Sequence, residues 1–246
     1  MSNFINYGML HESHYTLANG LELKNYTIGE MMDVGENRYY TLLQYPICTA
    51  SELMIELYDA GFDFRKIDDF DLFMGNMTKN GKVNNELLSF FIKDADFSLI
   101  SDENNTYLKS NVNDTFIDKD IHYEMANVLR IANGLSINKD KLYNPADEST
   151  FEFIIEMLKE KRDIKNNMIK QGKIDLNKNS IFYSILPAVV NHSNNGISYF
   201  NYRELKIFEL LESFEQHNSM LNYKLVMQGV YYGNVKYQSD FTYLRQ

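Results

Sequence analysis

The stretch NYRELKIFELLESFEQHNSMLNYKLVMQGVYYG, residues 201 to 233, constrains the fold more than any other part of the chain. Asn201 can accept from free backbone N–H groups, and Glu204 follows three residues on, a helix-start signal. Ile207, Leu210, Leu211 and Phe214 then recur at i, i+3, i+4 and i+7, one face of an α-helix. His217, Asn218 and Ser219 interrupt that stripe. A second stripe of Tyr223, Val226, Met227 and Val230 follows at the same spacing, with Gly229 and Gly233 at its end. The spacing predicts two short helices, each apolar on one side. The stretch holds no grouping of catalytic residues, so its expected role is packing or docking.

At 246 residues the chain is long enough for one large domain or two small ones. Its 44% hydrophobic and 24% charged residues are those of a globular protein, and 18 Tyr and 16 Phe argue against disorder. A net charge of −10 argues against a nucleic-acid surface, which needs clustered Lys and Arg, and suits a partner with basic patches. The single cysteine, Cys48, excludes an internal disulfide and fits a reducing compartment. MSNFINYGML lacks the positive-then-apolar pattern of a secretion signal. The longest apolar run, residues 181–190, is about half of the roughly 20 residues a membrane span needs. A cytosolic protein without a membrane partner is expected.

Local signals divide the chain further. Leu21 and Leu23 alternate with Glu22 and Lys24, as in a short strand. Thr27 with Glu30, and Thr49 with Glu52, form capping boxes that predict helix starts. Gly35 weakens the first of these helices, Arg38 to Tyr45 can continue it, and Pro46 is its expected stop. A third short helix is expected over 68–77, with Ile67, Phe70 and Phe73 on its apolar side. Residues 97–100 and 106–108 flank the turn Asp102-Glu103-Asn104-Asn105, a hairpin signal. Helices are expected again over 85–92, over 118–132 with Gly134 at the end, and from Pro145 to Gly172. In the last, Phe151, Ile154, Ile155 and Leu158 form the inner side, and the charged end after Leu158 is expected to project into solvent. Residues 180–190 form one more apolar helix. The fold class is therefore mainly α, a multi-helix domain with a small β-hairpin. The best division is an N-terminal helical region, 1–110, ending in the hairpin, and a C-terminal helical region, 111–246.

Motifs for covalent chemistry are sparse. His11 and His14, three apart, have the spacing of a metal pair but no further ligands follow, so a surface pair is expected. Asp68, Asp69 and Asp71 form an acidic cluster, which a helix start favours without any metal. Asp102, Asn104 and Thr106 begin like a calcium loop, but Tyr107 and Asn113 stand where Gly and Glu are needed. Cys48 could be activated at a helix start, yet a buried small apolar role is the better reading. Lys159, Lys161, Arg162 and Lys165 are interleaved with Glu156, Glu160 and Asp163, as on a solvated helix face. No G-x-S-x-G and no glycine-rich phosphate loop occurs. No catalytic residue, cofactor or metal is expected, and the chain is read as a non-enzyme. The paired tyrosines Tyr39-Tyr40 and Tyr231-Tyr232 are interface candidates, because tyrosine offers large contact area at little entropic cost. Methionine adapts its shape to varied partners, which adds Met31, Met32, Met54, Met220 and Met227.

Two segments together carry a resemblance. The first is NGLELKNYTIGEMMDVGENRYYTLLQYPICTASELMIELYDAGFDFRKIDDFDLF, residues 19 to 73. The second is LPAVVN, an aromatic loop, then NYKLVMQGVYYGNV, residues 222 to 235. In this order they resemble tail-region morphogenesis proteins of phages and prophages of Gram-positive bacteria. The resemblance implies a tail assembly chaperone: an acidic, mostly helical protein of the infected host's cytoplasm that coats the tape measure protein and recruits tail tube subunits. It brings no catalytic residues and leaves 74–180 without support. Tyr39, Tyr40, Met54, Tyr231 and Tyr232 are the partner-binding candidates, on a surface joining the Thr27–Phe73 helices to the C-terminal pair. The alternatives are a virion component (head–tail connector or baseplate subunit) or a phage factor that binds and inhibits a host protein. The oligomeric state is not set by the sequence.

Overall fold

The computed structural model describes residues 6–101, 106–135, 147–173, 180–192 and 196–232. It is mainly helical, with small antiparallel sheets. A 3-10 turn, Tyr7–His11, leads into the hairpin β1 (His14–Thr16) and β2 (Glu22–Lys24). Tyr15, Leu17, Leu21 and Leu23 all point inward from it. Helices α1 (Ile28–Val34) and α2 (Glu36–Ile47) are separated by Gly35, whose φ of 89° no β-branched residue would adopt readily. The short α3 (Met54–Asp59) and α4 (Asp69–Met77) follow, then the two-residue pair β3 (Thr78–Lys79) and β4 (Lys82–Val83). After α5 (Asn85–Phe91), a three-stranded sheet runs in the order β5 (Phe97–Ser101), β6 (Thr106–Ser110), β7 (Phe116–Ile117). Next are α6 (Lys119–Ala132), the long α7 (Glu148–Lys170), a π-helical turn Ile181–Ile185 running into α8 (Leu186–His192), and α9 (Ile207–Tyr231).

The helix starts follow from local chemistry. At the head of α1, Thr27 accepts from Glu30 N and the Glu30 carboxylate accepts from Thr27 N, so two orphan donors are satisfied at once. Asp68, Asn84, Asp118 and Asp147 cap α4, α5, α6 and α7 through their side-chain oxygens. Pro46 does not stop α2 as its sequence position suggests; it sits inside the last turn, and the helix ends one residue later.

The main core lies where α2 crosses α1, α4 and α6. Leu43, Met31, Phe73, Met77, Met125 and Val128 are fully buried there, and Ile207 and Leu210 at the base of α9 join the same cluster. Its buried members run from Leu10 to Leu210. A smaller cluster of Ala50, Met54, Phe64, Phe151 and Ile155 holds α7 against α3. Asp59 strengthens that joint by pairing with Arg162 at 3.0 Å and with Lys159. Beyond this, the outer turns of α7 stand in solvent.

The C-terminal stretch differs from its expected form. Residues 207–231 make one continuous helix, and His217-Asn218-Ser219 does not break it. None of the three lacks a backbone donor or carries a glycine's freedom, so nothing local forces a stop. Asn201 caps no helix: Tyr202–Glu204 is a 3-10 turn, and the Asn201 carboxamide accepts from Ser198 instead. The start of α9 is closed by Lys206 N donating to Glu209 at 2.8 Å. Gly229 lies within the helix, while Gly233, Pro145 and the hairpin turn at 102–105 lie outside the described residues.

Candidate functional site

The polar groups of the interior are already committed to holding the fold. Arg130, buried on α6, donates to Glu52 at 2.6 Å and 3.1 Å and to the Ile47 carbonyl. Burial opposes ionisation of Glu52, but hydrogen bonds from Arg130 and Thr49 outweigh it and hold the carboxyl below its usual range. His122 stacks on Phe73 with centroids 4.4 Å apart, shares a 3.0 Å hydrogen bond with the Pro46 carbonyl, and burial pushes it down to about 4. Asp69 accepts from Ala50 N at 2.7 Å, and its carboxyl is raised, chiefly by burial. Cys48 lies beside this network, and burial with the nearby Glu52 charge pushes its thiol up to about 11. Burial therefore disfavours the thiolate, the nucleophilic form of the side chain. A partly open cavity of about 140 Å³ is lined by Cys48, Asp69, His122 and Arg130, among others.

Other motifs resolve into ordinary contacts. His11 pairs with Glu209 at 3.0 Å, whereas His14 lies in β1 and meets Ser13, so the two histidines share no helix face. Asp68 caps α4 and pairs with Lys119, which holds its carboxyl low. Among the described residues no group of three or more His, Cys, Asp and Glu could hold a metal ion. Nor is any described helix long and apolar enough to cross a membrane. An open groove of about 900 Å³ lies between α4, α6 and the sheet, lined by Phe70, Met74, Tyr107 and Phe116 together with Asp71 and Asp120.

The segment before α9 is clamped closely onto the N-terminal helices. Ile28 N donates to the Leu205 carbonyl at 2.8 Å, Lys206 Nζ to the Asn25 carbonyl at 2.8 Å, and Arg203 pairs with Asp33 at 2.8 Å. The backbones come so close that a Cβ on Gly29 would stand 2.9 Å from the Arg203 carbonyl oxygen. This joint fixes where α9 leaves the body.

Past Phe214, α9 emerges. Met220, Leu221, Tyr223, Leu225, Met227, Tyr231 and Tyr232 are all exposed, Leu225 by 65%, Tyr231 by 85% and Tyr232 by 72%. Counting 3.6 residues per turn, Met220, Tyr223, Met227 and Tyr231 lie roughly 130° round the helix from Ile207, Leu210 and Phe214. The apolar face therefore changes sides along α9: the first stripe faces the body and the second faces away from it. Leu221 and Leu225 prolong the first stripe beyond the body's edge. A helix apolar on opposite sides is normally surrounded by other chain, and exposed apolar patches of this kind mark interaction sites. Phe200, in the loop before α9, is 99% exposed.

The partner-binding candidates fall in three different places. Tyr39 is buried in α2, its hydroxyl donating to Asn133 at 2.8 Å, and burial raises its pKa. Tyr40 packs edge-on against it and is half-buried, and burial likewise raises its pKa. Met54 is buried in the α3–α7 cluster. Tyr39 and Met54 thus supply core volume, not surface, because their turns of helix are covered from distant parts of the chain. Tyr231 and Tyr232 are the opposite case, exposed at the end of α9 with rings 5.4 Å apart. Of the methionines, Met31 is buried and Met32 half-buried, whereas Met220 and Met227 are exposed. Leu221, Leu225 and Phe200 were not singled out in the sequence; one signal for the two leucines is that no Asp or Glu occurs from Gln216 to Tyr232.

Residues 170–244 match the family model described as YomV second domain, and YomV is a protein of a Bacillus phage region. The matched part contains α8, the loop bearing Phe200 and all of α9. No curated protein and no solved structure matches the chain. The exposed helix thus lies within the part of the chain that is similar to a phage-associated family.

Proposed function

We propose that this chain works by gripping other protein chains, without making or breaking a bond, as a tail assembly chaperone in the cytoplasm of an infected bacterium. Its partners on this reading are the tape measure and tail tube proteins. The observation that carries it is the apolar, acid-free second half of α9, exposed within the segment similar to a phage-associated family. An adaptable surface of Met, Tyr and Leu suits a client presented in many local forms. The body that carries it is acidic, which keeps an exposed apolar helix soluble and repels neighbouring copies of the body.

Co-expression with the tape measure and tail tube proteins tests the reading. The wild-type chain captures one or both, and Tyr231→Ala with Tyr232→Ala weakens capture about tenfold or more while leaving the melting temperature in place. Capture that is unchanged by the double substitution, or no capture at all, sinks the assignment. Mass spectrometry of purified particles separates the neighbouring reading: a chaperone is missing from them, whereas a connector or baseplate subunit is present in fixed ring stoichiometry.

A further inference from the structure

We propose that the groove between α2, α5 and the end of β2 binds a short segment of another protein chain, one that carries a single carboxylate among large apolar residues. The groove holds about 600 Å³, within the range of binding clefts. Arg38, Leu42 and Tyr45 line it from one side of α2, at i, i+4 and i+7. Lys24, Tyr26 and Phe90 line it from the end of β2 and from α5. Its aromatic wall is set before anything binds: Tyr26 and Phe90 stack with centroids 5.1 Å apart, and the Tyr26 hydroxyl donates to the Phe90 carbonyl at 2.6 Å. Side chains held in this way have little entropy left to lose on binding. The groove is open, so it covers one side of its guest, as suits a peptide; a small-molecule pocket covers most of its ligand.

Charge names the occupant. Among the described residues Arg65, Arg130, Arg162 and Arg203 each pair with a carboxylate, and Arg38 has no such partner. In a chain of −10, a guanidinium left unpaired beside apolar side chains is a place for an acid brought from outside, which it can take with two parallel N–H bonds. Lys24 adds a second cation; one of its three N–H groups is spent on the Ser89 carbonyl at 2.6 Å. Glu86 is the opposing charge in the lining, and it lies in the first turn of α5, where free backbone N–H groups favour a carboxylate. Two cations against one anion leave room for one carboxylate, not for a polyanion, and the net charge of the chain repels nucleic acid further. The groove shares no residue with the exposed stretch of α9, so this inference does not depend on what α9 grips.

Selection of random short peptides on the full wild-type chain, followed by fluorescence polarisation of the enriched ones, tests this. The expected winners carry one Asp or Glu flanked by Leu, Phe or Tyr. Arg38→Gln and Tyr45→Ala each weaken their binding about tenfold or more. Lys109→Gln, which removes a charge outside the groove, binds like the wild type. Replacing the peptide's acid by its amide causes the same loss as Arg38→Gln, and that arm needs no variant of the protein. Combining the amide peptide with Arg38→Gln adds little further loss, as for two groups that meet each other. Winners without an acid, or binding unaltered by Arg38→Gln or by the amide, overturn the proposal. So does enrichment of no peptide, or displacement of the winners by a single-stranded oligonucleotide, which gives the groove to nucleic acid. Tyr231→Ala with Tyr232→Ala leaves peptide binding unchanged; winners lost in that variant sit on α9 and overturn the proposal as well. Capture of tail proteins is read in a separate assay, so failure at the groove leaves the chaperone reading standing.

Discussion

Arg130 and Glu52 sit 78 positions apart in the sequence and meet at 2.6 Å in the interior. Breaking such a buried pair from one side leaves an uncompensated charge, which is why this contact fixes α6 against the α2–α3 corner. His122, one turn of contacts away, is the group whose titration shows in stability. Its folded pKa is about 4 against an ordinary 6.5, chiefly because burial disfavours the imidazolium. Above pH 6.5 both folded and unfolded forms are neutral and pH has no effect through this residue. Between 6.5 and 4 the unfolded chain takes up the proton and the folded one does not, so stability falls as pH falls. The full difference is about 3 kcal/mol, reached near the lower limit. Asp69, its carboxyl raised by burial, acts in the opposite sense as it protonates. Urea midpoints at a series of pH values across that window check this: His122→Gln flattens the decline, and an equally steep decline in the variant assigns it to other groups.

Among the elements, α9 carries the most unexpected geometry. Its two apolar stripes were legible as periodicity, and the polar triplet between them read as a break. In the folded chain that triplet is where the apolar face moves to the other side of an unbroken helix. The helix is held at its base by the α1 joint, where Gly29 admits the Arg203 carbonyl. Gly29→Ala therefore loosens the attachment of α9, with an expected cost of about 1–3 kcal/mol, the usual range for overpacking a close contact. A thermal melt of the variant checks it, and a melting temperature equal to the wild type would show that the two backbones can separate freely.

For the molecule as a whole, the core in which α2 meets α1, α4 and α6 is continuous, while α7 is held mainly through the small cluster against α3 and the large apolar side chains of distal α9 are exposed. Local opening follows local burial. Hydrogen exchange on the full chain is expected to be slowest in α2 and α6 and faster by orders of magnitude in the outer turns of α7. Distal α9 belongs with the fast group. Uniform protection across α2, α7 and α9 would contradict this hierarchy.

The features readable from the linear chain were those that a few neighbouring residues complete among themselves. The Thr27–Glu30 and Thr49–Glu52 hydrogen-bonded boxes, the helices starting near 68 and 118, the hairpin strands and the inner face of α7 formed where expected, although the box at Thr49 closes a turn and α3 begins only at Met54. A hydrogen bond or a stripe spanning one or two turns needs no distant partner. Burial of Tyr39 and Met54, the Arg130–Glu52 pair and the emergence of α9 from the body depend instead on which distant segments cover which face. Tyr39-Tyr40 and Tyr231-Tyr232 are alike as dipeptides, yet Tyr39 lies in the core while Tyr231 and Tyr232 stand in solvent, because α2 is enclosed by three other helices and the end of α9 has left the body behind.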